Sequence, residues 1–286
     1  SPKADSFFSK FNDIPIICVA AGPSLDKNIH HLKKAKNKSI IMCVGTSLKP
    51  LLNNNIIPDI VVTLDGHINN LKHFKKIDFI PNSFLFSDLG NYYEINDLWD
   101  ENQVFFTLKR NFSGWVEKIK GSYSSIFSGG SVAHSMLSLA YLFGGDPIIL
   151  VGQDLAYRNN KTHAKGTTYE NDSAENKEFI EIEGSVEEKV ITDKSFMSML
   201  TYFNNFITNH SDRNYIDATE GGAKIKGTKI ETLDNIIKEY CNENVDVFND
   251  LKRIYKNSKP LNQENKLKEN LLKTYLEIDK MIDVTK

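Results

Sequence analysis

Short apolar runs separated by helical patterns constrain the fold of this 286-residue chain more than any other feature. The runs are apolar throughout rather than alternating, which is typical of strands covered on both faces. Strands that alternate with helices predict an α/β fold with a doubly wound, mainly parallel sheet. The predicted strands are 14–20, 39–44, 60–64, 84–86, 104–108, 148–151 and, later in the chain, 214–218.

Helical periodicity fills the intervals between these strands. The helix predicted at 132–143 has one apolar stripe and ends at Gly144 and Gly145, a residue type that commonly ends helices. Apolar spacing from residue 230 to the C terminus predicts a helical tail. The other predicted helices are 26–35, 47–54, 68–75 and 196–207.

A polar stretch from residue 156 to 193 interrupts the pattern and contains few large apolar side chains. A long segment without predicted helices or strands inside a compact domain is typical of a functional lid or of disorder. The sequence therefore predicts one domain over residues 1–229, with a lid at about 156–193, and a helical segment over residues 230–286.

Composition narrows the possible partners and the compartment. The formal charge is −2, so no basic field attracts nucleic acid. No apolar run approaches the roughly 20 residues of a membrane span. Cys18 and Cys43 lie inside apolar runs, which favours reduced core residues and indicates the cytoplasm. No Cys/His cluster has the spacing of a zinc site.

The first predicted strand ends in the sequence AAGPSLD. Gly22 lets the backbone approach a ligand closely, and Pro23 follows it in the turn. Ser24 can cap the next helix, whose free amides and positive dipole end attract phosphate. A plain strand-to-helix turn with a capping serine is the alternative.

Polar residues also follow the second and third strands. Thr46 and Ser47 come after strand two, and Asp65 and His67 come after strand three. Since the carboxyl ends of parallel strands meet at one sheet edge, these residues predict a nucleotide pocket beside Gly22. Helix capping is the alternative for Thr46 and Asp65.

A second glycine turn opens the helix at 132–143. Gly129, Gly130 and Ser131 come directly before it, which predicts another anion-binding helix start. His134 lies one turn into the helix, where packing or a local hydrogen bond is the commoner role.

The strand at 148–151 runs into Gln153, Asp154 and the predicted lid. Cations and phenols in the lid can neutralise a leaving phosphate, and His163 can act as a general base. A solvated polar loop is the alternative. The lid residues of interest are Tyr157, Arg158, Lys161, His163, Lys165 and Tyr169.

The last polar segment is DATEGGAKIKGT, which follows the predicted strand at 214–218. It contains Asp217, Glu220 and the pair Gly221 and Gly222. The two glycines can form a turn tight against a ligand, or a hairpin turn without a ligand.

Together these segments resemble the motility accessory factor (Maf) family of flagellin glycosyltransferases. The motifs GPSL, IPDIVVTLD, GGSVAHSMLSLAYLFGGDPIILVGQDLAY, THAKGT and TEGGAKI occur in that order within residues 14–228. A more remote similarity links the chain to bacterial CMP-sialic-acid-dependent sialyltransferases, which share the GPSL turn, the Ser-Gly helix start and a lid. The resemblance implies a Rossmann-like, sialyltransferase-like fold.

The resemblance also implies a cytoplasmic, inverting transferase for flagellar assembly and motility. It would move a nonulosonic acid, such as pseudaminic or legionaminic acid, from a CMP-activated donor to Ser or Thr of flagellin. No cofactor is required beyond the donor substrate. The donor-binding residues implied by position are Gly22, Pro23, Ser24, Thr46, Ser47, Asp65, Gly129, Gly130, Ser131, Gln153, Lys161, Glu220, Gly221 and Gly222.

The catalytic base cannot be transferred from the sialyltransferases. They place a histidine just before the helix that follows the lid, where this chain has Thr192, Asp193 and Lys194. A divalent metal remains possible, although no Asp-x-Asp motif lies beside the predicted strand ends. The catalytic candidates are His163, Asp154, Tyr157 and Asp193, and the acidic residues considered for a metal are Asp59, Asp65 and Asp154.

Two alternative functions are compatible with parts of the sequence. A pterin diphosphokinase of the archaeal type, using ATP and Mg²⁺, shares GPSL and an aspartate after strand three, but the TEGGAKI segment and the lid argue against it. A non-catalytic flagellin-binding module is the other alternative. Intact glycines and polar strand ends argue against a decayed site.

Overall fold

The computed structural model describes residues 4–88, 90–100, 103–107, 126, 129–158, 161–170 and 178–258, with five further positions between 269 and 276. Ten strands lie within these residues. They are β1 Ile16–Val19, β2 Ile40–Val44, β3 Ile60–Thr63, β4 Phe84–Asp88, β5 Val104–Thr107, β6 Ile148–Val151, β7 Ile180–Glu183, β8 Lys189–Thr192, β9 Tyr215–Asp217 and β10 Lys229–Ile230.

Eight of these strands form one sheet in the order β10-β9-β6-β1-β2-β3-β4-β5, and each pairing in it is parallel. Ile16 lies opposite Ile40 on one side and Ile148 on the other. The predicted α/β fold with a doubly wound parallel sheet is therefore confirmed.

The apolar runs become central strands because both sheet faces are covered. Successive strand side chains point to opposite faces. Ile16 and Cys18 belong to a core cluster that also contains Phe7 of the N-terminal 3₁₀ helix, Ala4–Phe7. Ile17 and Val19 belong to a second cluster on the other face. A strand buried on both faces has no polar positions, which explains the uninterrupted runs.

Helices cover the two faces. Their bounds are α1 Leu25–Asn28, α2 Leu32–Ala35, α3 Gly45–Asn53, α4 Val132–Phe143, α5 Lys194–Asn209, α6 Leu233–Tyr240 and α7 Val247–Asn257. The helix α4 has the predicted bounds, begins after the capping hydroxyl of Ser131 and ends at Gly144, whose φ of 93° is left-handed.

Two predicted helices differ from the structure. The one at 26–35 is divided into α1, the 3₁₀ turn Ile29–His31 and α2. The backbone of Asn28 is not helical, and its side-chain amide donates a hydrogen bond to the Ala218 carbonyl at 3.0 Å. The one at 68–75 is a 3₁₀ helix, Ile68–His73.

The expectation that residues 156–193 lack secondary structure is wrong for the described part. The strands β7 and β8 form an antiparallel hairpin, and Tyr157 extends it by bridging to Ile191. The alternating burial of β7 is typical of a strand with one covered face. Residues 171–177 of the predicted lid lie outside the described residues.

The boundary predicted after residue 229 falls inside β10. The helix α6 buries Leu233, Ile236 and Ile237 in the second core cluster, and α7 buries Leu251 in the first. Residues 230–258 thus pack with the sheet. Within the described parts of the chain, no helix has both the length and the apolar character to cross a bilayer.

Candidate active site

A cavity of about 280 Å³ opens at the carboxyl edge of the sheet, between the ends of β1 and β6. Strands β2 to β5 lie on one side of β1, and β6, β9 and β10 lie on the other, so strand order reverses at this point. In open parallel sheets, ligands bind at such a switch point. The predicted site residues that line the cavity are Gly22, Thr46, Asp65, Ser131, Gln153, Asp154, His163 and Tyr169.

The turn after β1 binds a carboxylate of the protein itself. The Ser24 amide donates to Asp154 Oδ1 at 3.1 Å, and its hydroxyl donates to Asp154 Oδ2 at 2.6 Å. The Gly22 amide donates to the Gly152 carbonyl at 2.8 Å. A Cβ on Gly22 would lie 2.0 Å from Asp154 Oδ2, so only glycine lets the carboxylate approach this closely.

This geometry gives the GPSL turn contacts within the protein, and its contact with a donor stays a prediction. The amides of Gly22 and Ser24 are occupied, and Ser24 neither caps α1 nor lines the cavity. Pro23 has no amide hydrogen to offer and also lies outside the lining. In this structure the anionic group bound by the turn is the Asp154 carboxylate.

Asp154 is buried, with 3% of its surface exposed. Burial raises the pKa of its carboxyl to about 6, although the Ser24 hydrogen bonds lower it in part. The group therefore stays mostly ionised at neutral pH. Since both oxygens accept from Ser24, its first role in this geometry is to hold the β1 turn against the end of β6.

The TEGG segment packs behind this turn. The Ala223 amide donates to the Asp154 carbonyl at 2.7 Å, and a Cβ on Gly222 would lie 2.3 Å from that oxygen. Glu220 accepts from the Leu233 amide at 3.1 Å. Glu220, Gly221 and Gly222 do not line the cavity, and their contact with a ligand stays a prediction.

The residues predicted at the ends of β2 and β3 lie in two different environments. Thr46 and Asp65 line the cavity, and Asp65 Oδ1 accepts from the His67 amide at 3.0 Å. Ser47 is buried and donates to the Val19 carbonyl at 2.8 Å, which ties α3 to β1. Ser47 lies outside the cavity lining, and its role in binding stays a prediction.

His163 lies in the cavity wall within a small cluster of rings. Its Nδ1 is 2.8 Å from Thr162 Oγ1, and its ring centroid is 5.1 Å from that of Tyr169. Tyr169 in turn packs at 5.2 Å on His73, whose Nδ1 lies 2.6 Å from Thr168 Oγ1. These contacts close the loop at 161–170 over the 3₁₀ helix that follows β3.

His73 was not predicted from the sequence, nor were the lining residues Thr63 and Asn70. Burial, together with nearby positive charge, lowers the pKa of His73 to about 4, so the ring is neutral at pH 7. Thr63 ends β3, and Asn70 and His73 follow it in the 3₁₀ helix. The spacing of polar residues there gave no sign of which side chains line the cavity and which face solvent.

The N terminus of α4 lies at the cavity. Ser131 and Val132 line it, and the Ser131 hydroxyl accepts from the Ala133 amide at 3.3 Å. The positive dipole end of this 12-residue helix favours negative charge there. Gly129 and Gly130 are exposed and lie outside the lining, and their contact with a ligand stays a prediction.

Three other candidates lie outside the cavity lining. Tyr157 donates to Asp193 Oδ2 at 2.6 Å, while Asp193 Oδ1 accepts from the Phe196 amide at 2.8 Å and caps α5. This pair fixes the junction between β8 and α5. Lys161 is exposed on the surface of its loop.

Of the three aspartates named for a metal in the sequence, Asp59 lies away from the other two. Asp59 precedes β3 at the opposite sheet edge, where it pairs with Lys36 and accepts from the Ile41 amide at 2.9 Å. It is therefore separated from Asp65 and Asp154. In the parts of the chain that the structure describes, no group of three or more His, Cys, Asp or Glu side chains has the arrangement of a metal site.

These features define a doubly wound parallel α/β protein with a ligand cavity at its strand-order switch point. The chain belongs to the MptE-like family, since the family model described as 6-hydroxymethylpterin diphosphokinase MptE-like matches residues 1–160. No curated protein matches the chain by sequence.

The fold is similar to the solved structure of the MAf glycosyltransferase from Magnetospirillum magneticum AMB-1. The TM-score is 0.70 at 17% identity, and the similarity covers 90% of this chain. This chain spans 41% of that protein, about two fifths of its length. The resemblance to Maf proteins indicated by the motifs is thus confirmed at the level of the fold.

Proposed function

We propose that the chain is the catalytic domain of a cytoplasmic glycosyltransferase. It moves a nonulosonic acid of the pseudaminic or legionaminic type from a CMP-activated donor to Ser or Thr of flagellin. The observation that carries the proposal is the cavity at the switch point of a fold shared, over 90% of the chain, with a MAf glycosyltransferase. The order of the motifs supports the CMP donor and the flagellin acceptor.

The leaving group in this reaction is CMP. Its departure leaves an oxocarbenium-like centre beside the sugar carboxylate, while negative charge develops on the phosphate. The α4 N terminus, with Ser131 and Val132 in the cavity wall, is suited to stabilise that charge. The reaction therefore needs no metal in principle.

His163 is the base in this proposal. It lines the cavity, whereas Tyr157 and Asp193 do not, and both oxygens of Asp154 already accept from Ser24. The imidazole takes the proton from the acceptor hydroxyl as that oxygen attacks the sugar. One displacement from the face opposite CMP inverts the configuration at the anomeric carbon.

The direct test measures transfer from a CMP-nonulosonic acid to purified flagellin. Its two readouts are the release of CMP and the increase in the mass of flagellin. We expect His163→Ala to reduce transfer at least about 100-fold, as is usual on loss of a general base. His30→Ala is the matched control, because His30 is exposed and lies outside the cavity lining. Full transfer by His163→Ala removes this residue from the mechanism.

The family description favours one second candidate, a diphosphokinase that uses ATP and Mg²⁺ on 6-hydroxymethyl-dihydropterin. Thermal shift with CMP, and with ATP plus Mg²⁺, separates the two. Stabilisation by CMP alone supports the transferase, and AMP formation with the pterin supports the kinase. No response to any nucleotide supports a non-catalytic flagellin-binding module.

A further inference from the structure

A buried polar cluster lies at the β3 end of the cavity, centred on Asn70. Asn70 is 8% exposed, yet it lines the cavity. Its Nδ2 donates to Thr63 Oγ1 at 2.8 Å, to the Asp65 carbonyl at 2.9 Å and to Asn91 Oδ1 at 3.0 Å. The amide nitrogen is thus fully used inside the protein.

These partners fix which way the Asn70 amide points. A backbone carbonyl can only accept, so the atom of Asn70 that faces the Asp65 carbonyl must be the nitrogen. The Thr63 hydroxyl donates its own hydrogen to Asn91 Oδ1 at 3.3 Å, which leaves it free to accept from Asn70. The orientation is therefore determined by several bonds.

The oxygen Oδ1 is the polar atom of Asn70 that remains. Within the described residues it receives no hydrogen bond from the protein. The carboxylate of Asp65, which also lines the cavity, adds a second acceptor group at this end. Two neighbouring acceptors favour a ligand group that donates, and they repel a carbonyl oxygen in the same place.

We propose that Asn70 Oδ1 accepts a hydrogen bond from the 4-amino group of cytosine, and so selects CMP donors over uridine nucleotides. The inference rests on the proposed function and adds the residue that recognises the base. Uracil has a carbonyl oxygen where cytosine has the amino group. That oxygen would face Asn70 Oδ1 with no hydrogen between them, and this acceptor in the cavity wall would stay unpaired once the ligand excludes water.

Calorimetric titration of the wild-type protein with a series of nucleotides tests this inference. The probes are CMP, UMP, a CMP analogue that lacks the 4-amino group, and dCMP. We expect UMP and the analogue to bind about 10- to 100-fold more weakly than CMP, the effect of one lost buried hydrogen bond. Equal affinity for CMP and UMP overturns the inference, as does a loss confined to dCMP, which would assign Oδ1 to the ribose.

Variants provide a second measurement. In Asn70→Ala the ratio of CMP to UMP affinity should fall to about one, through weaker CMP binding. The matched control is Asn69→Ala, because Asn69 is exposed and lies outside the lining. An unchanged ratio in Asn70→Ala overturns the inference, and if this variant does not fold, the wild-type series decides alone. Binding of no nucleotide at all overturns the proposed function as well, which distinguishes the two failures.

Discussion

Substitution of Gly22 by alanine tests the contact on which the cavity geometry depends. A Cβ at this position would lie 2.0 Å from Asp154 Oδ2, 2.6 Å from its Cγ and 2.7 Å from the Gly152 carbonyl oxygen. The side chain of Asp154 must then turn away, and the backbone must shift as well, because Gly152 cannot rotate out of the contact. The two hydrogen bonds from Ser24 are lost in the process.

The expected cost follows from those bonds. Hydrogen bonds to a charged group contribute about 1.5–3 kcal/mol each, so the loss of two costs roughly 3–6 kcal/mol. Alanine also lowers the conformational entropy of the unfolded chain relative to glycine, which favours the folded state by about 0.4–1 kcal/mol. We therefore expect Gly22→Ala to lower the free energy of unfolding by roughly 2–5 kcal/mol.

Urea denaturation of Gly22→Ala, Asp154→Ala and the double variant measures this directly. Without the Asp154 carboxylate, only the clash with Gly152 remains, so the alanine should cost less in that background than in the wild type. Ser24→Ala is the intermediate case, since it removes the hydroxyl bond and keeps the amide bond. A Gly22→Ala protein within about 0.5 kcal/mol of wild type refutes the reasoning.

Three further predictions concern pH, capping and metal. Because burial raises the pKa of Asp154 from 3.8 to about 6, the folded state binds this proton more tightly than the unfolded chain does, so the stability gained from protonation is complete below pH 4 and is lost as pH rises through 6. We expect this loss to be about 3 kcal/mol, and urea denaturation of Asp154→Asn across that range should show a flatter profile than wild type. Asp193→Ala removes both the α5 cap and the acceptor of the Tyr157 hydroxyl, so it should cost at least about 0.5–2 kcal/mol of unfolding free energy, while titration finds CMP affinity unchanged, because Asp193 does not line the cavity. EDTA should leave transfer from the CMP donor intact, whereas a diphosphokinase reaction would stop; loss of transfer on chelation, restored by Mg²⁺, contradicts the proposed mechanism.

Short-range sequence patterns were sufficient to predict most strands of the sheet and the helix α4. The strands β1, β2 and β6 fall inside the predicted runs because burial on both faces removes polar residues from the sequence itself. The helix α4 was predicted to the residue because Ser131 and Gly144 mark its ends. Period and capping are short-range properties, so a sequence records them directly.

The site depends on contacts that no local pattern records. The sequence predicts that Ser24 caps a helix, yet its hydrogen-bond partner is Asp154, which lies 130 residues away in sequence. Asp193 and Tyr157 are catalytic candidates in the sequence, and the sequence did not show that they bond to each other at the start of α5. The residue type was informative at each position, but the role followed from which strand ends the topology brings together.

The carboxylate held between β1 and β6 has an evolutionary consequence. Positions 22, 24, 154 and 222 surround one small volume, and each limits the size or chemistry that the others can have. Among homologous proteins, a larger residue at position 22 should therefore occur together with a shorter one at position 154. Such paired changes would mark the lineages in which the turn has become free to take up a different anion.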